Sequence, residues 1–159
     1  MRAWVTRAVA AGGALLVLVS VNASIVAKER IKTNGERIFL ELAPVDPRSL
    51  MQGDYMALRF RIAEQIPTES SGSVPLLVDA RGVATVNPDP QAGGLKLRYR
   101  IRNGAVWVGT NAYFFEEGAA QQFERARYGE FRVDRDSGEA VLVRLRGENL
   151  EAPGADAPR

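Results

Sequence analysis

An uncharged stretch near the amino terminus places the strongest constraint on this chain. Ala8–Ala27 contains 20 residues without a charged side chain; Arg2 and Arg7 precede it and Lys28 follows it. A helix of about 20 apolar residues crosses the hydrocarbon core of a bilayer. The sequence therefore predicts a short cytoplasmic end at 1–7, a transmembrane anchor at 8–27 in contact with the lipid bilayer, and a domain outside the cytoplasm.

A cleaved signal peptide is the alternative interpretation of this stretch. Val21-Asn22-Ala23 has the small-residue pattern that a signal peptidase recognises. The apolar run is longer than the usual core of a signal peptide, which favours the anchor. Basic residues flank the run on both sides, so the positive-inside rule does not decide the orientation alone. Under either interpretation the remaining chain is periplasmic or at the cell surface.

The charge balance argues against nucleic acid as a partner. The sequence has 21 Lys+Arg and 19 Asp+Glu, and without the two arginines that precede the anchor each number is 19. Binding of nucleic acid requires a basic excess. The chain also lacks cysteine and histidine, which excludes disulfides, zinc sites built on those ligands and Ser-His-Asp catalysis within the chain. We expect no cofactor and no metal.

Alternating apolar and polar residues predict a mainly β domain at 28–150. The clearest alternation is Leu95–Arg102, followed by the hairpin turn Asn103-Gly104 and a partner strand. Further strands are predicted over 37–42, 54–62, 74–86 (a hairpin), 130–134 and 140–146. A short helix is predicted over 119–127, ended by Gly129. We expect an antiparallel barrel or sandwich of about eight short strands with one short helix, preceded by one N-terminal transmembrane helix. Residues 151–159 are predicted to be a disordered tail.

A dense group of special-purpose residues runs from Pro44 to Phe60. Its two prolines hold the backbone extended, and Gly53 suits a turn with positive φ before the next strand. One interpretation is a rigid, hydrogen-bonded connection into that strand. The other is a ligand or partner site, for which the candidate binding residues are Asp46, Arg48, Gly53, Asp54 and Tyr55.

The motif GDYMALRF at 53–60 resembles the signature of the GDYXXLXY family, small bacterial membrane-anchored proteins. Four positions match the signature: Gly53, Asp54, Tyr55 and Leu58. Phe60 replaces its final tyrosine and lacks the hydroxyl. The similarity extends over 28–29, 40–52, 113–118 and 126–134. The resemblance implies a membrane-anchored protein of a family without an established molecular activity, whose members occur beside, or fused to, multi-spanning membrane proteins.

Two further groups are secondary candidates. Arg98 and Arg100 belong to four basic residues on the outer face of Leu95–Arg102, which suit anionic lipid heads, wall polymers or an acidic partner. The alternative is a solvated face paired with glutamates. Glu116 and Glu117 are candidates because two opposed carboxylates can hydrolyse a glycosidic bond.

Three functions follow from these residues. The first is a membrane-anchored extracytoplasmic interaction module that acts with a multi-spanning membrane protein. The alternative is a ligand-binding module for cell-envelope fragments or small anions. The least favoured is a carboxylate-dependent hydrolase that uses Asp46, Asp54, Glu116 or Glu117. We expect no enzyme activity and assign no catalytic residue.

Overall fold

A computed structural model describes residues 2–43, 51–52, 55–116, 119–123 and 125–152. The chain begins with the long helix α1, Arg2–Asn34. The strands that follow are β1 Glu36–Glu41, β2 Met51–Gln52, β3 Tyr55–Ala57, β4 Gly72–Val78, β5 Ala84–Val86, β6 Lys96–Arg102, β7 Ala105–Trp107, β8 Ala112–Phe114, β9 Tyr128–Val133 and β10 Ala140–Arg146. A 3₁₀ helix, Arg61–Gln65, follows β3, and the short helix α2, Ala120–Phe123, precedes β9.

The described strands form three antiparallel sheets around one apolar core. Their orders are β1-β9-β10, β2-β3-β8 and β5-β4-β6-β7. The largest fully buried side chains come mostly from the first and third sheets: Phe131, Ile38, Leu40, Leu97, Leu145, Val108 and Val133. The predicted fold class, mainly β with antiparallel sheets after an N-terminal apolar helix, is confirmed.

Strand β1 is buried on both faces. Ile38 and Leu40 point into the core, as their alternation predicts. Phe39, on the opposite face, is also buried, because the turn between β4 and β5 covers it. The Phe39 N–H donates to the carbonyl oxygen of Gly82 at 2.9 Å in that turn. The strand is therefore an internal element that links the sheets.

The predicted strand over 54–62 is wrong in its second half. Strand β3 ends at Ala57, and the Leu58 N–H then donates to the Asn111 carbonyl oxygen at 2.7 Å. Phe60 forms an isolated antiparallel bridge with Leu42, so the chain passes from one sheet to another. Met56, Leu58, Phe60 and Ile62 are nevertheless all buried. The alternation predicted the buried side chains correctly. It did not predict where the strand ends, because that depends on contacts with residues distant in the sequence.

The predicted helix over 119–127 is also shorter than expected. Helix α2 has four residues, and Gly129 lies inside β9 instead of ending a helix. A Cβ at Gly129 would lie 2.9 Å from the Phe60 ring and 3.0 Å from the Phe131 ring. This glycine is therefore required by packing between strands, which the helix interpretation did not foresee.

Helix α1 continues beyond the predicted anchor and joins the domain directly. Its segment Thr6–Asn34 is long and apolar enough to span a membrane, with a mean hydropathy of 2.1 and no burial inside the protein over its most apolar window. Near its end, Ile31 is buried. Gly35 alone separates α1 from β1, and the Arg132 guanidinium donates to its carbonyl oxygen at 3.1 Å. The helix and the first strand are thus connected without a linker.

Candidate functional site

The structure describes only part of the predicted motif site. Asp46, Arg48, Gly53 and Asp54 lie outside the described residues, as does Glu117. Tyr55 is described and half-buried on β3. The proposed roles of the other residues stay predictions.

Tyr55 forms an aromatic pair with Phe114. The two residues face each other in the register of β3 and β8, and their ring centroids are 5.9 Å apart with a tilt of 41°. Phe114 is 74% exposed. Aromatic side chains are enriched at protein interfaces relative to the rest of the surface. We call these two side chains the aromatic pair.

Phe114 lies on the face of β8 opposite to its aromatic neighbours. Its neighbours Tyr113 and Phe115 turn to the other face and contact Phe123, Tyr113 edge-on at a centroid distance of 5.2 Å and Phe115 stacked at 5.4 Å. These three rings are packed against the core. The chain thus keeps the partly buried rings of Tyr113 and Phe115 on one face and presents Phe114 on the other.

Of the four acidic candidates, only Glu116 lies in the described part of the chain. Glu116 is exposed. No group of three acidic side chains that could hold a metal ion occurs among the described residues. Asp46, Asp54 and Glu117 lie outside the described residues, so the hydrolase hypothesis stays a prediction.

The basic candidates line a cleft between α1, the β6–β7 hairpin and the turn that joins β9 to β10. The cleft has a volume of about 150 Å³. Its charged and aromatic lining consists of Lys28, Arg98, Arg100, Arg102, Trp107 and Glu139. We call this the basic cleft. It includes both secondary candidates of the basic strand.

The β9–β10 turn is fixed closely against β6. The Arg98 N–H donates to the Gly138 carbonyl oxygen at 2.7 Å. Gly138 has φ +69°, and a Cβ there would lie 3.0 Å from the carbonyl oxygen of Lys96. Only glycine combines this backbone conformation with such a close approach.

Asp134 stabilises the same turn. Its Oδ1 accepts hydrogen bonds from the Ser137 N–H at 2.8 Å and from the Ser137 hydroxyl at 2.7 Å. The backbone hydrogen bond from Ser137, followed by that from its hydroxyl, lowers the pKa of Asp134 below its ordinary value. The ionised carboxylate is therefore part of the folded turn.

The charges in the basic cleft are unbalanced. Lys28, on α1, forms an ion pair with Glu139, the only carboxylate among the described residues of the lining. The guanidinium of Arg102 lies over the Trp107 ring, 5.3 Å from its centroid. Within the described part of the chain, Arg98, Arg100 and Arg102 form no ion pair. Three arginines thus face the cleft without a carboxylate partner among the described residues.

Sequence reasoning missed Lys28, Trp107 and Glu139 as members of the basic cleft. Trp107 could have been found, because a two-residue turn at Asn103-Gly104 places it directly opposite Arg100, as observed. The contact between Lys28 and Glu139 joins residues 111 positions apart. No local pattern in the sequence indicates that pair.

A buried carboxylate lies apart from both surfaces. Glu130, on β9, is 3% exposed, and its Oε2 accepts hydrogen bonds from Arg146 at 2.7 Å from Nε and 2.6 Å from a terminal guanidinium nitrogen. Arg144 approaches the same oxygen at 3.7 Å. The carboxylate is neutralised by its partners, and its role is structural.

Comparisons with known proteins agree with the motif. Neither the curated proteins nor the solved structures contain a significant match to the chain. The family model described as "GDYXXLXY protein" matches residues 17–145, from within α1 to near the end of β10. This match covers most of the chain, including the signature strand and both surfaces. The chain therefore belongs to the GDYXXLXY family.

Proposed function

We propose that the protein is a membrane-anchored extracytoplasmic interaction module that docks onto a multi-spanning membrane protein. The observation that carries this proposal is the exposure of Phe114 beside Tyr55 of the signature. Aromatic side chains dominate the binding energy at many protein interfaces. The aromatic pair is the docking surface in this proposal.

The sheet edge beside the aromatic pair supports the same function. Within the described residues, β8 pairs on one side only, with β3. An exposed strand edge offers unpaired backbone groups to a partner. The side of β8 without a described partner strand thus adjoins Phe114, and on it Ala112 bonds the Thr110 hydroxyl through both its N–H and its carbonyl oxygen.

Membrane anchoring brings the module to its partner. In this proposal α1 spans the bilayer, and the domain is periplasmic or at the cell surface. A partner in the same membrane then meets the domain at a high effective concentration, so a small docking surface suffices.

Co-purification tests the docking surface. The full-length protein is extracted in mild detergent as wild type, as Phe114→Ser and as Leu77→Ser, and bound proteins are identified by mass spectrometry. Leu77 is a matched control, because it is 56% exposed but lies on β4 in another sheet. We expect a multi-spanning protein to bind to the wild type and to Leu77→Ser.

Phe114→Ser should reduce recovery of that partner at least tenfold, as expected for loss of an interface hot spot. Equal recovery with all three proteins would refute docking through the aromatic pair. Asp54→Ala, analysed in parallel, tests whether the aspartate of the signature belongs to the same surface.

Orientation and processing have a separate test. The chain has no cysteine, so a single Ser70→Cys variant carries one thiol, at an exposed position. We expect a membrane-impermeant maleimide to label it from outside the cytoplasmic membrane. The mass of the membrane-extracted protein should retain the N-terminal segment, whereas removal of that segment would indicate a signal peptide.

A second candidate function is a ligand-binding module for cell-envelope fragments or small anions. The basic cleft favours it, because the arginines that line it have no carboxylate partner among the described residues. A ligand that binds only the native state raises the unfolding temperature saturably. This candidate predicts such a rise with the wild type, and with Arg100→Gln the same rise at a higher ligand concentration.

A further inference from the structure

We propose that the basic cleft binds a phosphate group, supplied by the headgroup of an anionic lipid in the membrane that anchors the chain. This inference rests on the proposed membrane anchoring and is independent of docking through the aromatic pair. The shared chemistry is a phosphate ester or free phosphate, and the lipid is the source we infer.

The first argument is charge. The chain after the anchor carries equal numbers of basic and acidic residues, yet the described lining of this cleft has four cations and one carboxylate. That carboxylate, Glu139, is already paired with Lys28. A concave surface lined by one sign of charge concentrates ions of the opposite sign. Guanidinium groups match the geometry of phosphate oxygens and bind them through paired N–H donors.

The second argument is position. Lys28 directly follows the last residue of the uncharged stretch. The headgroup layer on each side of the hydrocarbon core is about 5–7 Å thick, and a helix rises about 1.5 Å per residue. Four residues beyond Ala27 therefore cross about 6 Å, and Ile31 is already buried against the domain. The domain begins at the depth of the lipid phosphates.

The third argument is the composition and size of the cleft. Trp107 is half-buried in its lining beside Arg102, and tryptophan is enriched at the membrane–water interface. The cleft volume of about 150 Å³ is large enough to admit a phosphate group.

Trp107 provides a local probe for the test. The chain has two tryptophans, so Trp4→Phe leaves Trp107 as the sole source of tryptophan fluorescence. The full-length variant is reconstituted in nanodiscs of phosphatidylcholine, whose phosphate is offset by the choline cation, with increasing mole fractions of phosphatidylglycerol, which carries a net negative charge. Emission and quenching by the neutral quencher acrylamide are recorded. We expect a saturable decrease in quenching as the anionic lipid fills the cleft.

Charge variants identify the binding residues. A juxtamembrane basic residue contributes about 1 kcal/mol to attraction by anionic lipid, which is about a fivefold change in affinity. Arg100→Gln should therefore raise the midpoint of the lipid titration about fivefold. Arg98→Gln combined with Arg100→Gln should abolish the response over the titrated range.

The matched control removes the same charge elsewhere. Arg59 and Arg127 are exposed, and their carbonyl oxygens accept hydrogen bonds from Ala43 and Leu42, at the end of β1 opposite α1. The double variant Arg59→Gln, Arg127→Gln should keep the wild-type midpoint. An equal loss with both double variants would indicate non-specific attraction and overturn the proposal.

A further arm separates the two sources of phosphate. Inorganic phosphate is added to nanodiscs of pure phosphatidylcholine, with sodium chloride of equal ionic strength as the reference. Suppose that inorganic phosphate gives the same response as the lipid and that the Arg98/Arg100 double variant abolishes it. That result would confirm the phosphate site but overturn the lipid as the source of the phosphate. No response in either arm, from protein shown by flotation to be inserted, would overturn the site.

The two proposals fail separately. Phe114→Ser should retain the full lipid response, because Phe114 is not part of the cleft. Loss of partner docking with an intact lipid response would affect only the proposed function. Failure of the chain to insert would refute both the anchoring and the lipid proposal that rests on it.

Discussion

Replacement of Glu130 by alanine is expected to destabilise the domain by about 3 kcal/mol. The change leaves the Arg146 guanidinium without its buried partner, 2.6–2.7 Å away. Removal of one member of a buried ion pair costs about 3–5 kcal/mol. The lower value applies because the Arg146 side chain is 18% exposed and can reach water. Arg144, which is 54% exposed, contributes little at 3.7 Å.

Urea and thermal unfolding of the full-length protein in micelles provide the assay. Trp107 fluorescence in the Trp4→Phe background reports on the domain. For a domain of this size, 1 kcal/mol corresponds to about 3–5 °C in Tm. Glu130→Ala should therefore lower Tm by about 10–15 °C.

A double variant tests the reasoning behind this magnitude. Apolar side chains of similar volume often replace a buried ion pair without loss of stability. Glu130→Met combined with Arg146→Met should therefore be more stable than Glu130→Ala. A loss below about 1 kcal/mol in Glu130→Ala would refute the argument. The argument would also be refuted if the double variant lost as much free energy of unfolding as Glu130→Met and Arg146→Met lose together. The two side chains would then show no energetic coupling.

Two further predictions concern the β9–β10 turn. Because hydrogen bonds from Ser137 lower the pKa of Asp134 in the folded state, its contribution to stability is present above the ordinary value of 3.8 and is lost as the pH falls through the lowered value. At neutral pH, Asp134→Asn should have a lower free energy of unfolding than the wild type. In urea unfolding, this difference in free energy should shrink as the pH falls through the lowered pKa of Asp134. A difference that stays constant with pH would contradict the prediction. Gly138→Ala places a Cβ 3.0 Å from the Lys96 carbonyl oxygen at φ +69°, so we expect a loss of about 1–3 kcal/mol. A Tm equal to that of the wild type would show that the turn can move away from β6.

Local signals predicted the elements whose structure depends on neighbours in sequence. The β6–β7 hairpin follows from the alternation of Leu95–Arg102 and from a turn in which Asn103 and Gly104 adopt φ 50° and 72°. The interpretation of Gly129 as a helix end failed for the opposite reason. Its role depends on Phe60 and Phe131, which approach it only in the folded sheet.

The candidate site, like the fold, was predictable from the sequence only in part. The basic row on β6 was visible in the sequence, and so was Tyr55 of the signature. The position of Phe114 beside Tyr55 required the pairing of β3 with β8. The contact of Lys28 with the β9–β10 turn required the path of α1. Neither the pairing of β3 with β8 nor the path of α1 follows from periodicity. The periodicity of a sequence predicts which face of a strand is buried, but not which strands lie side by side.

The direct connection between α1 and β1 limits how this domain can meet other molecules. A single residue, Gly35, spans about 3.8 Å, and Arg132 and Ile31 bind its backbone on both sides. The domain therefore cannot change its orientation relative to α1 as a domain on a flexible linker does. If α1 spans the bilayer, any tilt or rotation of the helix moves the domain with it as one rigid body. Its search for a partner is then lateral diffusion in two dimensions, at a constant height above the membrane.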